Sequence, residues 1–321
     1  MNTSFADCVE HLNRACHEEQ VPGAAIAIVS GAEPPAVVGV GTVHTGQSAP
    51  VDGDTVFQAA SLSKPVFARL VIQLAQAGRF ELMRPLADFD VAPPLPDAAL
   101  RNVTARHVLR HATGLPNWFW TDEVRRMVCP PDTAFTYSGL AYMYLQQVIE
   151  GIVAAPLDEW SHQTLIEPLG LDRTSYRWHD RFSANHASAH DVSGNAIDAY
   201  RFNEARSASS LYTTARDYAR FLAEVLNDAT AIGIVDSETT VIEDNIEWGL
   251  GWGIERRGSS TLLFHWGDNP GFNCFALLDP AERFATVILT NGQSGRRVYS
   301  NVLEAWYGDS LGCLRWLASR Y

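Results

Sequence analysis

The chain has 321 residues, 46% of them hydrophobic and 19% charged, enough to bury one large core or two intimate ones. Its 24 Lys+Arg against 37 Asp+Glu leave a net charge of −13 with no basic cluster anywhere, which argues against nucleic acid or an anionic membrane as partner. No apolar run approaches the roughly 18–20 residues that a membrane-spanning helix needs.

The first twenty residues, MNTSFADCVEHLNRACHEEQ, read as an acidic amphipathic helix rather than a basic and then apolar leader, so a cytoplasmic location is expected. VPGAAIAIVSG (21–31) and AVVGVGTVH (36–44) follow as two β-type runs around a Gly/Pro turn, a predicted hairpin. From Ser61 to Ala77 apolar residues recur at helical spacing and stop at Gly78, which predicts a helix starting at or beside Ser61. Pro65 fits in its first turn, where an N–H has no intrahelical partner. Thr104 caps VTARHVLRHA, a helix follows Gly139, and Thr214 with Asp217 forms a capping box before YARFLAEVL. After residue 245 the texture turns to strands: IEWGLGWGIE, TLLFHWG, NCFALLD and FATVILTN, closed by the helix VYSNVLEAWYG. The five acids between Asp236 and Glu247 read as a solvated loop. Strands at both ends predict an α+β architecture. It comprises an antiparallel sheet lobe flanked by helices, built from residues 1–79 and 226–321, and an inserted, mainly helical lobe over 80–225, with the active site in the cleft between them.

Five cysteines, Cys8, Cys16, Cys129, Cys274 and Cys313, are odd in number and lack a C-x-x-C pair, which reads as reduced thiols. Lys64 is the only lysine in the chain. An arginine stays protonated at any useful pH, whereas a desolvated amine can release its proton, so a lone lysine among arginines is a candidate for proton transfer. Ser61-Leu62-Ser63-Lys64 places it three residues after Ser61, which stacks the two side chains on one helix face. A serine hydroxyl becomes a nucleophile when a neutral amine takes its proton, and bringing the amine's pKa from about 10.4 toward 7–8 costs roughly 3–5 kcal/mol. Further along, Tyr137-Ser138-Gly139 stands at a helix mouth, and His265-Trp266-Gly267 ends a strand.

Ser-x-x-Lys, Tyr-Ser-Gly and His-Trp-Gly in this order resemble the penicillin-recognising serine hydrolases, most nearly the branch of class C β-lactamases with its esterases, D-peptidases and acyltransferases. The similarity covers nearly the whole chain, including LRNVTARHVLRHATGLP, PPDTAFTYSG and ASSLYTTARDYARFL. It implies a β-lactamase/transpeptidase-like fold, Ser61 as acyl-accepting nucleophile, Lys64 as its base and Tyr137 as proton relay. It further implies an oxyanion hole from the backbone N–H groups of Ser61 and Asp268, with Gly139, His265, Trp266, Gly267 and Trp118 at the substrate. No metal or cofactor is implied. Two departures bear on the substrate. Many relatives carry Asn where Gly139 stands, and lactamases of this branch carry Lys-Thr-Gly where His265-Trp266-Gly267 stands. An apolar Trp266 and no fixed cation suggest an uncharged acyl group, so a small ester or thioester is the expected partner and carboxylesterase the expected activity. A biosynthetic acyltransferase or cyclising thioesterase, a D-amino-acid amidase or peptidase, and a non-catalytic ligand-binding member are the alternatives.

His107 with His111, and His186 with His190, are spaced as metal ligands but lack a third. Trp118, Phe119 and Trp120 suit a pocket wall or core packing equally. Trp248 and Trp252, four apart in IEWGLGWGIE, are expected on one face of a strand. No Gly-x-Ser-x-Gly elbow and no phosphate-cradling loop is present, which argues against an α/β-hydrolase or a nucleotide enzyme.

Overall fold

A computed structural model describes residues 5–31, 33–118, 126–307 and 311–320. The chain opens with α1 (Phe5–Glu18), the hairpin β1 (Gly23–Ser30) and β2 (Ala36–Gly41), and then β3 (Phe57–Ala60) leading into α2 (Ser63–Gln76). The middle carries α3 (Ala105–Leu109), α4 (Gly139–Val153), α5 (Leu157–Ser161), β4 (Ala189–His190), β5 (Ala196–Ile197), β6 (Leu211–Thr213) and α6 (Ala215–Asn227). It ends with α7 (Ala229–Asp236), β7 (Thr240–Glu243), β8 (Ile246–Trp248), β9 (Gly253–Arg257), β10 (Ser260–Asn269), β11 (Phe272–Asp279), β12 (Phe284–Thr290), α8 (Gly295–Tyr307) and α9 (Gly312–Arg320).

The sequence GAAIAIVS makes β1 apolar at every position but the last, and alternation divides it between two cores. Ala24, Ile26 and Ile28 face one that includes Leu12 of α1, Tyr299 of α8 and Trp316 of α9. Ala25, Ala27 and Val29 face the other, with Phe67 of α2 and Phe221 of α6. A strand covered on both faces has no polar side, hence the continuous apolar run. The sheet is antiparallel throughout, in the order β2-β1-β12-β11-β10-β9-β8-β7, and β1 pairs β12 with Ile26 opposite Ile288. Strands from the two chain ends thus pair side by side within one sheet, as expected from the sequence.

α2 is buried almost all round, from Ser63 to Leu74. Its end is a Schellman motif: Gly78 at φ 68° donates to Ala75 O at 2.9 Å and Arg79 to Leu74 O at 3.1 Å. Thr104 caps α3 in a capping box whose return bond comes from His107. Thr214 caps α6, but the Asp217 carboxylate turns to Arg173 N (2.8 Å) and Thr174 Oγ1 (3.0 Å) instead of closing the expected box.

Three expectations fail locally. IEWGLGWGIE is a hairpin, with Trp248 opposite Gly253 across a turn in which Gly251 sits at φ 89°. Trp248 and Trp252 therefore lie in opposite cores rather than on one face. The acidic stretch runs from the end of α7 through the edge strand β7 into β8, with Thr240 of β7 opposite Trp248. Beyond the closing helix comes α9, whose first amides at Gly312 and Cys313 donate to the buried Glu255 carboxylate at 3.0 and 2.9 Å. That anchor lies 57 residues away in sequence, where a local pattern cannot reveal it.

Candidate active site

The site is built on the corner between β3 and α2. β3 pairs β6 with a register shift between Gln58 and Ala60, and Ala60 takes φ 50°, a left-handed conformation that costs a non-glycine residue roughly 1–2 kcal/mol. Several bonds hold it. Ser63 Oγ donates to Ala60 O and accepts from Leu211 N at 2.9 Å, while the hydroxyls of Tyr176 and Tyr218 donate to Ser63 O and Leu62 O at 2.8 and 3.1 Å. Ser61 lies in this turn, just before α2 begins at Ser63.

One helical turn on, Lys64 is 1% exposed, with Nζ 2.9 Å from Ser61 Oγ and donating to Ala208 O at 2.7 Å. Burial pushes its pKa well below the ordinary lysine range. A neutral amine there keeps a lone pair for the Ser61 proton while Ala208 fixes one of its N–H groups. Nζ also stands 4.7 Å from the centroid of the Tyr137 ring. That ring stacks on Trp266, with centroids 5.0 Å apart, and lies 4.2 Å from the His111 ring. The structure thus brings Ser61, Lys64 and Tyr137 together from two stretches of chain.

The segment after Tyr137 departs from the expected pattern in a specific way. Ser138 is extended (φ −140°, ψ 109°) and caps α4 by accepting from Ala141 N. Positions 137 and 139 therefore point to the same side. A Cβ on Gly139 would lie 2.3 Å from Cζ2 of Trp118, so the indole fills the space that a side chain would take there. Asn117 seats it, its Oδ1 accepting from Gly139 N at 2.8 Å and its carbonyl from Leu140 N at 2.9 Å. Phe119 and Trp120 lie outside the described residues.

On the other side stands the end of β10. Its pairing with β9 stops at Phe264 opposite Gly253, whereas its pairing with β11 continues to Asn269 opposite Phe272. Asn269 and Phe272 close the two-residue turn Pro270-Gly271, with Gly271 at φ 77°. Alternation along the hairpin then turns the Asp268 N–H away from β11, toward the edge that β9 leaves open. The Asp268 carboxylate points elsewhere, toward Asn273 Nδ2 at 3.1 Å and Arg296 Nη2 at 3.7 Å.

Three sequence expectations about this strand are corrected. A Cβ on Gly267 would lie 2.2 Å from Ala59 O, so this glycine lets β10 approach β3 rather than the substrate. His265 is fully buried and, with Nδ1–H donating to Trp266 O at 2.8 Å, is held in the neutral form by that burial. It supplies no cation. Trp266 is only 4% exposed and packs on Tyr137, Trp248 and Trp316, so it is part of the core rather than an open apolar wall.

The histidine pairs do not converge. α3 ends at Leu109, His107 closes its cap, and His111 turns toward Tyr137. His190 spends both ring nitrogens on Asn291 O (2.7 Å) and Thr45 N (3.1 Å). The sequence did not reveal the contacts of Ala208 with Lys64, of Asn117 with the start of α4 or of His111 with Tyr137, because each joins distant segments. A cavity of about 810 Å³ lined by Asp158, Arg177 and His179 touches none of Ser61, Lys64 and Tyr137.

Comparison with known proteins places this geometry. Penicillin-binding protein 4 of Amycolatopsis lactamdurans is 25% identical over 336 residues, covering 92% of this chain and 87% of that protein. The SurE crystal structure superposes with a TM-score of 0.80 at 20% identity over 95% of this chain and 77% of that one. The class C β-lactamase of Rhodobacter sphaeroides superposes with a TM-score of 0.80 at 17% identity over 94% and 99%. The sequence also matches the Beta-lactamase family over residues 5–305. With that match spanning nearly its full length, the chain belongs to the Beta-lactamase family, within the penicillin-recognising serine hydrolases.

Proposed function

We propose that this serine hydrolase works through an acyl-enzyme on Ser61 and acts as a carboxylesterase on small, uncharged esters or thioesters. The observation that carries the reading is Lys64 Nζ at 2.9 Å from Ser61 Oγ in a site whose burial favours the neutral amine. In the first half-reaction Lys64 takes the Ser61 proton as Oγ attacks the acyl carbon. The N–H groups of Ser61 and Asp268 hold the developing oxyanion, a role worth about 3–4 kcal/mol per donor in serine hydrolases. Tyr137 passes the proton from Lys64 to the leaving alkoxide or thiolate, which departs as alcohol or thiol. In the second half-reaction the same groups take a proton from water as it attacks the acyl carbon and return that proton to Ser61 Oγ as the Oγ–acyl bond breaks, which releases the acid and restores Ser61.

Two features favour an uncharged acyl group. Neutral His265 offers no partner for a substrate carboxylate, and the Trp118 indole stands where an amide-holding side chain at position 139 would. The five free thiols, four of them buried, suit a cytoplasmic site of action.

The test is intact mass after brief exposure to p-nitrophenyl esters of graded length and to a fluorophosphonate, on wild type and Ser61→Ala, with nitrophenol release followed alongside. Adduct and release that disappear together in Ser61→Ala bear the reading out. Neither adduct nor turnover in wild type overturns general esterase activity. Added alcohols or amines that divert the acyl group into new esters or amides would identify a transferase.

A further inference from the structure

The two amides that flank Tyr137 donate to one residue. Thr136 N donates to the carbonyl of His111 at 2.7 Å, and Ser138 N donates to its Nδ1 at 3.0 Å. His111 stands two residues past the end of α3 at φ 53°, a left-handed conformation that few side chains tolerate. Its own N–H donates to Val108 O at 3.1 Å, so its backbone continues the turn that closes α3. The ring is fully buried between Tyr137, at 4.2 Å, and Tyr142 and Trp248, each at 5.2 Å.

Because Nδ1 accepts, the single proton of the neutral ring sits on Nε2, which has no hydrogen-bond partner among the described residues. A buried donor without a partner is a standing cost that an apolar ring of similar size would avoid. What an apolar ring could not provide is the Nδ1 acceptor. Burial holds the imidazole in the neutral form that keeps this acceptor open.

We infer that His111 is the positioning residue of Tyr137, a clamp that grips the backbone N–H groups of the residues on either side of the tyrosine and fixes its ring above the Lys64 amine. The inference rests on the acyl-enzyme reading, in which Tyr137 relays protons. The carbonyl half of the clamp would hold whatever residue stood at 111, provided it kept the left-handed backbone. The Nδ1 half belongs to the side chain. A misplacement of about 1 Å at a reacting group can cost on the order of a hundredfold in rate, so loss of one anchor is sufficient to be measured.

The experiment is a double-mutant cycle on p-nitrophenyl ester turnover, with His111→Ala, His111→Asn and Tyr137→Phe alone and His111→Ala in the Tyr137→Phe background. Asparagine tolerates the left-handed backbone, and its Oδ1 sits where Nδ1 does and can accept from Ser138 N. The expected result is a fall in kcat of roughly tenfold or more for His111→Ala with KM nearly unchanged. Most of that loss should be restored in His111→Asn, and less than about twofold further loss should follow from His111→Ala once Tyr137 is already Phe. Equal losses from His111→Ala in both backgrounds would overturn the clamp while leaving the role of Tyr137 standing, as would wild-type kcat in His111→Ala. Wild-type turnover in Tyr137→Phe would overturn the relay itself, and the clamp with it.

Discussion

Replacing Lys64 separates chemistry from folding in a way the structure makes quantitative. The amine is 1% exposed, and its contacts are Ser61 Oγ, Ala208 O and two aromatic rings. In Lys64→Arg the charge is permanent and the fork of five donors meets only those acceptors, so a largely unpaired buried cation should cost about 3–5 kcal/mol of stability. In Lys64→Met the charge is gone. Leaving Ala208 O unpaired costs about 1–3 kcal/mol, and relief from desolvating an amine offsets a similar amount, so the variant should stay within about 2 kcal/mol of wild type. At about 2.1 cal/mol/K of unfolding entropy per residue, 1 kcal/mol moves the melting point of a chain this long by roughly 1.5 °C. Lys64→Met should therefore melt within about 3 °C of wild type and Lys64→Arg roughly 5–8 °C lower. Both should lose two to four orders of magnitude in kcat/KM, because neither side chain can accept the Ser61 proton. The pH profile carries the same logic. Burial lowers the folded-state pKa of Lys64, so the ascending limb of kcat/KM should lie well below 10.5, the ordinary lysine value. Between the folded and unfolded pKa values the unfolded chain binds the extra proton, so this group's contribution to stability rises with pH across that window and should vanish in Lys64→Met. Paired stopped-flow or steady-state ester assays and thermal melts test all of this. Turnover above about a tenth of wild type in either variant would refute Lys64 as the base, and melting points that fall equally in both would refute the cost assigned to a buried cation.

Gly139→Asn alone drives a side chain into the Trp118 indole, whose Cζ2 is 2.3 Å from the new Cβ, and should lower both ester turnover and melting temperature. Trp118→Ala should cost about 10–200-fold in kcat/KM for apolar acyl groups and little for acetyl, and pairing it with Gly139→Asn should shift preference toward amide-bearing substrates. An unchanged acyl-length profile in Trp118→Ala would refute the wall. Gly267→Ala places a methyl 2.2 Å from Ala59 O, wedging β10 from β3 and moving the Asp268 N–H relative to Ser61. It should cost about 1–3 kcal/mol in a thermal melt and lower kcat more than it raises KM. A fully active Gly267→Ala enzyme would show that the spacing between the two strands does not set the oxyanion hole.

The sequence determined the parts of this protein that depend on neighbours along the chain. The N-terminal helix, the first hairpin, the helix from Ser63 and the meeting of both chain ends in one sheet were legible because period and punctuation are local properties. Ser61 and Lys64 share a face because three residues separate them, and the single lysine announced itself by composition. Tertiary structure decided everything that needs a partner from far away. Trp248 and Trp252 lie in opposite cores because a left-handed Gly251 folds the strand back between them. His265 is neutral and Trp266 is core because both are buried where the end of β10 meets Tyr137. His111 faces Tyr137, not His107, because α3 stops at Leu109. Trp118 occupies the place beside Gly139 because Asn117 ties its segment to the start of α4. Hydrophobic period and turn chemistry act over a few residues, whereas burial, pKa and the filling of a cleft are set by whatever the fold packs alongside.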